Sequence, residues 1–314
     1  MKSGGTVETP IKRQVSNAHT EWQLGEFLMS TDLADETQEK FIKRGLPRSG
    51  ICLILGGVDT GKTTLAAAIA GRLAASGPVG IIDADVGQSH IGPPATVGWA
   101  IVEKPQVDFS QVAPRGISFV GDVTPVGHLL QLTEALTQCV GRLAGLAGQI
   151  IIDTPGFIDG PAATALWWTV QRILQPKLIV AVQRDNELSN ILAGLRHLNS
   201  QIELLEPHSH IPAKSPQARR SYRQSQFRKY FQDAQLHALE LSKTTIQTTR
   251  STSPDSLLHR LVALRSKEGI DHALGIIEDW QPEADKVTLR SPLPNVAEIR
   301  CLVMGDVSVD LSSE

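Results

Sequence analysis

The chain has 314 residues, of which 41% are hydrophobic and 20% charged, with a formal net charge of -3. That balance allows a sizeable buried core and excludes a protein coated in basic surface, so any nucleic-acid contact must be local. Three scattered cysteines, Cys52, Cys139 and Cys301, are too few for a disulfide frame or a cysteine-built zinc site.

Residues 1–45 come first, as a polar tail followed by short helical pieces between Trp22 and Lys43. Met1–Thr20 lacks the apolar stretch of a secretory leader. No window offers the roughly eighteen uncharged apolar residues of a membrane helix. A cytoplasmic protein without membrane contact is expected.

From residue 46 to 234 buried strands and helices alternate. Ile51–Leu55 is a short continuous apolar run, the mark of a strand covered on both faces. An Ala-rich helix follows from Thr63 to about Ala75 and stops at Gly77-Pro78. Further strands are predicted at Val79–Asp83, Ile117–Val120, Gln149–Asp153 and Leu178–Val182, and an apolar stretch, Ile202–Leu205, follows. Helices are predicted over Pro125–Leu146, Ala162–Leu174 and Glu187–Leu198, with Pro125 in a first-turn position. Repetition of strand, crossover helix and strand predicts an α/β fold: a parallel sheet of the P-loop NTPase type with helices on both faces. Residues 235–314 change texture. Their short apolar runs, Leu258–Leu264, Ala273–Ile277, Lys286–Leu289 and Ile299–Met304, predict a small, mostly β C-terminal domain.

Gly56-Gly57-Val58-Asp59-Thr60-Gly61-Lys62-Thr63, followed by Thr64, matches G-x-x-x-x-G-K-[ST] in full and lies between a buried strand and a helix. Such a loop turns its N–H groups and a helix N-terminus onto phosphate oxygens. Lys62 is placed to reach the β- and γ-phosphates of ATP or GTP, and Thr63 to help hold Mg²⁺. Asp83 and Asp85 leave the C-terminal end of the second strand, on the rim where open α/β sheets bind ligands. A carboxylate there holds Mg²⁺ through water or takes the proton from an attacking hydroxyl. Asp153, in Asp153-Thr154-Pro155-Gly156-Phe157, ends another buried strand and is a second metal candidate.

His208–Gln232 carries Lys214, Arg219, Arg220, Arg223, Arg228 and Lys229 and no acidic residue. A lid over the nucleotide that stabilises the transferring phosphoryl group fits this composition, anchored by Tyr222, Phe227, Tyr230 and Phe231. A solvated helix face is the plainer alternative.

Together these motifs resemble the polynucleotide 5′-hydroxyl kinase family, which includes the kinase of pre-mRNA cleavage and tRNA-splicing complexes and its ribosomal RNA-processing relative. The matching residues are Gly56–Thr64, D-x-D-x-G-Q at Asp83–Gln88, Pro93-Pro94 and F-V-G-x-x-(S/T)-P at Phe119–Pro125. The T-x-G turn at Thr154–Gly156, the Ala218–Phe231 segment and Gly275-Ile276-Ile277 continue the match. Phe157 stands where the family commonly has Trp. The resemblance implies transfer of the γ-phosphoryl group of ATP or GTP, with Mg²⁺, to the 5′ end of a nucleic acid, RNA ahead of DNA. It implies that Lys62 contacts the phosphates, and that Thr63 and Thr64 help place the metal. Asp85, with Asp83 close by, would activate the hydroxyl or position the metal. Thr154 would belong to a clasp at the substrate end, and Arg223 and Arg228 would be the catalytic part of the lid. Gln88, Gly156, Arg219 and Arg220 fall on the substrate side.

Three other readings compete. Asp153–Gly156 is also the D-x-x-G of GTPase switches, although Gln183-Arg184-Asp185-Asn186 does not match their N-K-x-D element. A nucleotide-bound scaffold has no chemical need of Lys62, Asp85, Arg223 and Arg228 together. An enzyme acting on a small metabolite has little use for the basic segment, which suits a polyanion.

Overall fold

The computed structural model describes residues 36–44, 46–47, 49–105, 107–196, 198–207, 213–248 and 257–311. The expected N-terminal tail, most of the helical pieces after it and residues 208–212 of the basic segment lie outside the described residues.

Seven strands form the first sheet: β1 (Gly50–Gly56), β2 (Val79–Asp83), β3 (Thr96–Val102), β4 (Gly116–Phe119), β5 (Gln149–Asp153), β6 (Leu178–Val182) and β7 (Gln201–Leu205). Their order is β4-β3-β2-β5-β1-β6-β7. β2, β5, β1 and β6 are parallel, as expected, and the apolar stretch at Ile202–Leu205 joins them as the parallel strand β7. β3 and β4 add an antiparallel edge, and β3 was not among the expected strands. The short link from Asp83 to Thr96 holds no crossover helix, so the chain can only return antiparallel beside β2.

Because side chains alternate across a strand, β1 feeds two cores. Cys52 and Ile54 pack on the side of α1 (Glu36–Arg44) and α2 (Lys62–Ala74). Leu53 and Leu55 pack on the side of α3 (Leu129–Leu143), α4 (Gly160–Leu174) and α5 (Ser189–Leu195). Full burial of each such side chain is worth about 1.5–3 kcal/mol. α2 is narrow enough to sit close on the sheet because Ala66, Ala67, Ala68 and Ala70 line it.

Two helices are shorter than their apolar pattern suggested. α3 starts at Leu129 rather than Pro125, because Gly127 has a φ of 82° and breaks the helical path. α5 starts at Ser189 rather than Glu187. The Glu187 carboxylate instead accepts the Arg184 and Asp185 N–H groups across the preceding turn.

The second sheet contains β8 (Gln235–Glu240), β9 (Thr245–Gln247), β10 (Arg260–Ser266), β11 (Asp271–Gln281), β12 (Lys286–Ser291) and β13 (Ile299–Ser308). Their order is β8-β12-β11-β10-β13-β9, antiparallel except for the β13/β9 pair. Two hydrogen bonds lock this sheet to the end of β4. Asp271 accepts the Phe119 N–H at 2.8 Å, and the Asp306 N–H donates to Gly121 O at 2.8 Å. Helix α6 (Pro216–Tyr230) bridges the two sheets. Its Phe227, with the following Phe231, is buried against Ala95, Phe119, Leu261, Leu274 and Ile276.

Candidate active site

Strand β1 ends at Gly56, where the phosphate loop begins. Asp59 and Gly61 adopt left-handed conformations (φ 53° and 81°), which turn the loop into the first turn of α2. A side chain at Gly56 would come within 2.5 Å of Val182 O, so only glycine fits there. The Lys62 ammonium curls back to donate to Gly57 O and lies 3.4 Å from Thr60 Oγ1. Burial lowers its pKa against the attraction of Asp153, Asp85 and Asp59.

Strands β2 and β5 are paired so that Asp83 lies beside Asp153. The Thr63 hydroxyl, one turn into the loop-helix junction, donates to Asp153 Oδ2 at 2.6 Å. Asp153 Oδ1 is buried without a hydrogen-bond partner. An orphaned carboxylate oxygen next to a hydroxyl is the donor set a hard divalent cation takes, so Thr63 and Asp153 fit Mg²⁺. Burial first, and the Asp83 charge second, push the Asp153 carboxyl upward.

Asp83 and Asp85 are close in sequence but do different work. Asp83 is fully buried and accepts the N–H groups of Asp85 (3.1 Å), His90 (2.6 Å) and Ile91 (2.9 Å). Its oxygens are committed to shaping the loop, and burial pushes its carboxyl upward. Asp85 is half-buried, braced by the Gly87 and Gln88 N–H groups at 3.0 Å on one oxygen. Of the two expected catalytic aspartates, Asp85 alone is partly exposed, with Oδ1 alone braced by these two N–H groups.

The β5 turn packs against β1 and the phosphate loop. Thr154 is buried, and its hydroxyl donates into the sheet to Ile54 O at 2.6 Å. That bond uses its proton in the sheet and leaves the hydroxyl oxygen only as an acceptor. Gly156 lies against the phosphate loop. A Cβ there would fall 2.5 Å from Val58 Cγ1 and 2.6 Å from Val58 N. Thr64 and Val58 are exposed.

α6 closes the cleft from above. Ser215 caps it by accepting the Ala218 N–H, and Pro216 suits its first turn. Asp59 Oδ2 accepts both Arg219 Nη2 (2.6 Å) and the Lys214 N–H (2.9 Å). Lys214 Nζ reaches Gln88 Oε1 at 3.2 Å, and the Tyr222 hydroxyl donates to Ser89 O at 2.9 Å. Arg223 is half-buried. Burial, Arg220 and Arg219 lower its pKa, opposed by the Asp85 and Asp122 charges that face it. Arg220 and Arg228 are exposed.

Two residues of this rim carry no sequence signal of their own. Arg184 Nη2 donates to Asp59 O at 2.7 Å, from a turn that drew notice only for failing the GTPase pattern. His90 packs its ring 5.9 Å from that of Tyr222. Burial lowers its pKa, opposed by Asp153 and Asp85. No spacing rule marks either one, because each meets the site through tertiary contacts.

The comparison with protein families is decided by this region. Residues 56–233 match the family described as mRNA cleavage and polyadenylation factor CLP1 P-loop. The chain belongs to that family. A polyribonucleotide 5′-hydroxyl-kinase of Pyrococcus furiosus is 32% identical over 220 residues, 68% of this chain and 60% of the relative. One from Methanocaldococcus jannaschii is 30% identical over 210 residues, 66% of this chain and 57% of the relative. The chain thus spans about 60% of the length of such relatives. Among solved structures, the wild-type Clp1p–Pcf11p complex shares the fold. Its TM-score is 0.67 at 15% identity, covering 92% of this chain and 79% of that one. The P-loop α/β fold expected from the sequence, with a second, β-rich sheet at the C-terminus, is therefore the fold of this CLP1-family chain.

Proposed function

We propose that this CLP1-family chain is a polynucleotide 5′-hydroxyl kinase that transfers the γ-phosphoryl group of ATP, or GTP, to the 5′ end of RNA ahead of DNA. The observation that carries the reading is the phosphate loop with its Thr63–Asp153 pair, over which the basic helix α6 is held by Lys214 and Arg219 on Asp59. Relatives named polyribonucleotide 5′-hydroxyl-kinases support it.

The chemistry follows from these positions. The phosphate loop N–H groups and Lys62 hold the nucleotide phosphates. Thr63 and Asp153 would hold Mg²⁺, which would supply charge neutralisation on the phosphate oxygens. Asp85 accepts the proton of the 5′-hydroxyl as its oxygen bonds to the γ-phosphorus and the bond to the β-phosphate oxygen breaks. Arg223 stabilises the charge spread over the transferring group, with Arg219 and Lys214 released from Asp59 to meet phosphate. Little covalent work falls to the protein, so positioning and charge carry the rate.

Transfer of label from γ-labelled ATP and GTP to 5′-hydroxyl RNA and DNA tests the reading. Wild type should label the oligonucleotide, and Lys62→Ala should not. Asp85→Asn should lose about 10²–10⁴-fold in rate, the span of general-base effects, with nucleotide affinity little changed. Hydrolysis without labelled oligonucleotide would sink the kinase and bring a nucleotide switch forward.

A further inference from the structure

Away from the phosphate loop, three side chains from two separate parts of the chain converge. Asp122 lies just after β4, His128 precedes α3, and Asp306 lies on β13. One ligand atom from each falls within 4.8 Å of the other two, the only such group among the described residues. The backbone fixes this meeting. The Asp306 N–H donates to Gly121 O, and a Cβ at Gly305 would stand 2.7 Å from that same oxygen. Only glycine before Asp306 lets β13 come so close to the residue before Asp122.

The His128–Asp306 spacing suits an ion pair and equally two ligands of one metal ion. His128 Nε2 lies 3.4 Å from Asp306 Oδ2. N–H···O bonds run about 2.7–3.2 Å. Two donors bound tetrahedrally at about 2.1 Å, the usual zinc–nitrogen or zinc–oxygen length, stand about 3.4 Å apart. His128 is 5% exposed, and its Nδ1 has no hydrogen-bond partner. The buried imidazole thus pairs with a carboxylate through Nε2 while its Nδ1 is left unmatched, a half-satisfied state that buried polar groups seldom keep. A cavity of about 30 Å³ lined by His128, Gln131, Glu134 and Asp306 adjoins the group. That is roughly the room one metal-bound water needs.

We propose that Asp122, His128 and Asp306 form a site for one divalent transition-metal ion, with Zn²⁺ the best fit to one imidazole and two carboxylates. Mg²⁺ fits poorly, since it seldom takes an imidazole ligand. The ion ties the six-stranded sheet to the β4–α3 loop. Val123 O of that loop sits where a side chain at Gly87 would fall, 2.9 Å away, so the tie braces the loop that carries Asp85.

The test strips the full chain with a chelator, then titrates Zn²⁺ in competition with a chromophoric chelator. One Zn²⁺ per chain should bind and raise the unfolding temperature, and Mg²⁺ at the same concentration should not compete. Asp122→Asn and His128→Gln should each weaken binding by about tenfold or more, at least what outer-shell substitutions cost. Thr63→Ala should leave it unchanged, which separates this site from the phosphate loop. Should His128→Gln fail to fold, Asp122→Asn, on a half-exposed loop, decides alone. No stoichiometric Zn²⁺, or equal binding by wild type and Asp122→Asn, overturns the site.

Discussion

The two ends of α6 are held by different forces. At its N-terminal end, Lys214 and Arg219 bond to Asp59 of the phosphate loop, and Lys214 to Gln88. At its C-terminal end Phe227 and Phe231 are buried in the core shared with the second sheet, and the Tyr230 hydroxyl accepts the Leu274 N–H at 2.9 Å. Polar contacts to a carboxylate can be exchanged for contacts to phosphate at little net cost, because charge replaces charge. Aromatic burial cannot be exchanged for anything a nucleotide offers. The helix is therefore a lever with a fixed heel in the β domain and a toe that a phosphate can claim.

The largest effect should come from the heel. Phe227→Ala leaves a cavity between the two sheets, and Phe→Ala in a core costs about 3–5 kcal/mol. Denaturant unfolding should show that loss, with phosphoryl transfer falling because α6 no longer holds its basic side chains over the phosphate loop. A loss below about 1 kcal/mol, the scale of an ordinary surface change, would show that the helix does not depend on this anchor.

A smaller effect, confined to the polar side, should appear on changing pH. The Asp153 carboxyl is pushed up to about 7, chiefly by burial and then by Asp83. A metal must displace its proton, so the apparent Mg²⁺ affinity should hold steady above that value. It should weaken as pH falls through it, approaching about tenfold per pH unit. Stability runs the opposite way with pH. A carboxyl raised in the fold binds its proton more readily than in the unfolded chain, so its contribution is largest at low pH and is lost as pH rises through about 7. Mg²⁺ titrations of phosphoryl transfer between pH 6 and 8.5 check the first point. A flat Mg²⁺ dependence would remove Asp153 from the metal site.

How much of this the sequence revealed depends on how local each feature is. The phosphate loop, the Asp83–Gln88 motif and the β5 end were legible because a strand, a turn and a helix in one short stretch carry them. The basic segment was legible by its lack of acids. What escaped depends on contacts made across the fold. β3 reads as a strand only once its antiparallel partner β2 is known. Asp83 and Asp85 are alike in sequence, and only tertiary packing shows that one is buried under three N–H groups while the other is partly exposed. Thr154 sits in a turn that suggests substrate contact, and only the fold shows that its hydroxyl donates to Ile54 O, a hundred residues back. Arg184 and His90 join the rim by the same long-range route.

The smallest effect tests the toe alone. Asp59→Ala removes one carboxylate oxygen that serves both Arg219 and the Lys214 N–H. The Arg219 and Asp59 side chains are 24% and 8% exposed, so the pair is partly shielded, but water still screens it. A charge-assisted hydrogen bond in such a place is worth about 1.5 kcal/mol, near tenfold in an opening equilibrium. Amide hydrogen exchange should therefore speed up by about that factor over the first two turns of α6, with the turn carrying Phe227 and Tyr230 unchanged. Nucleotide added to wild type should act oppositely, slowing exchange in those first turns as phosphate takes the place of Asp59. Exchange that speeds up equally along the whole helix would mean that α6 moves as one unit. The heel and toe would then not be separate, and the lid would have to open by leaving the β domain altogether.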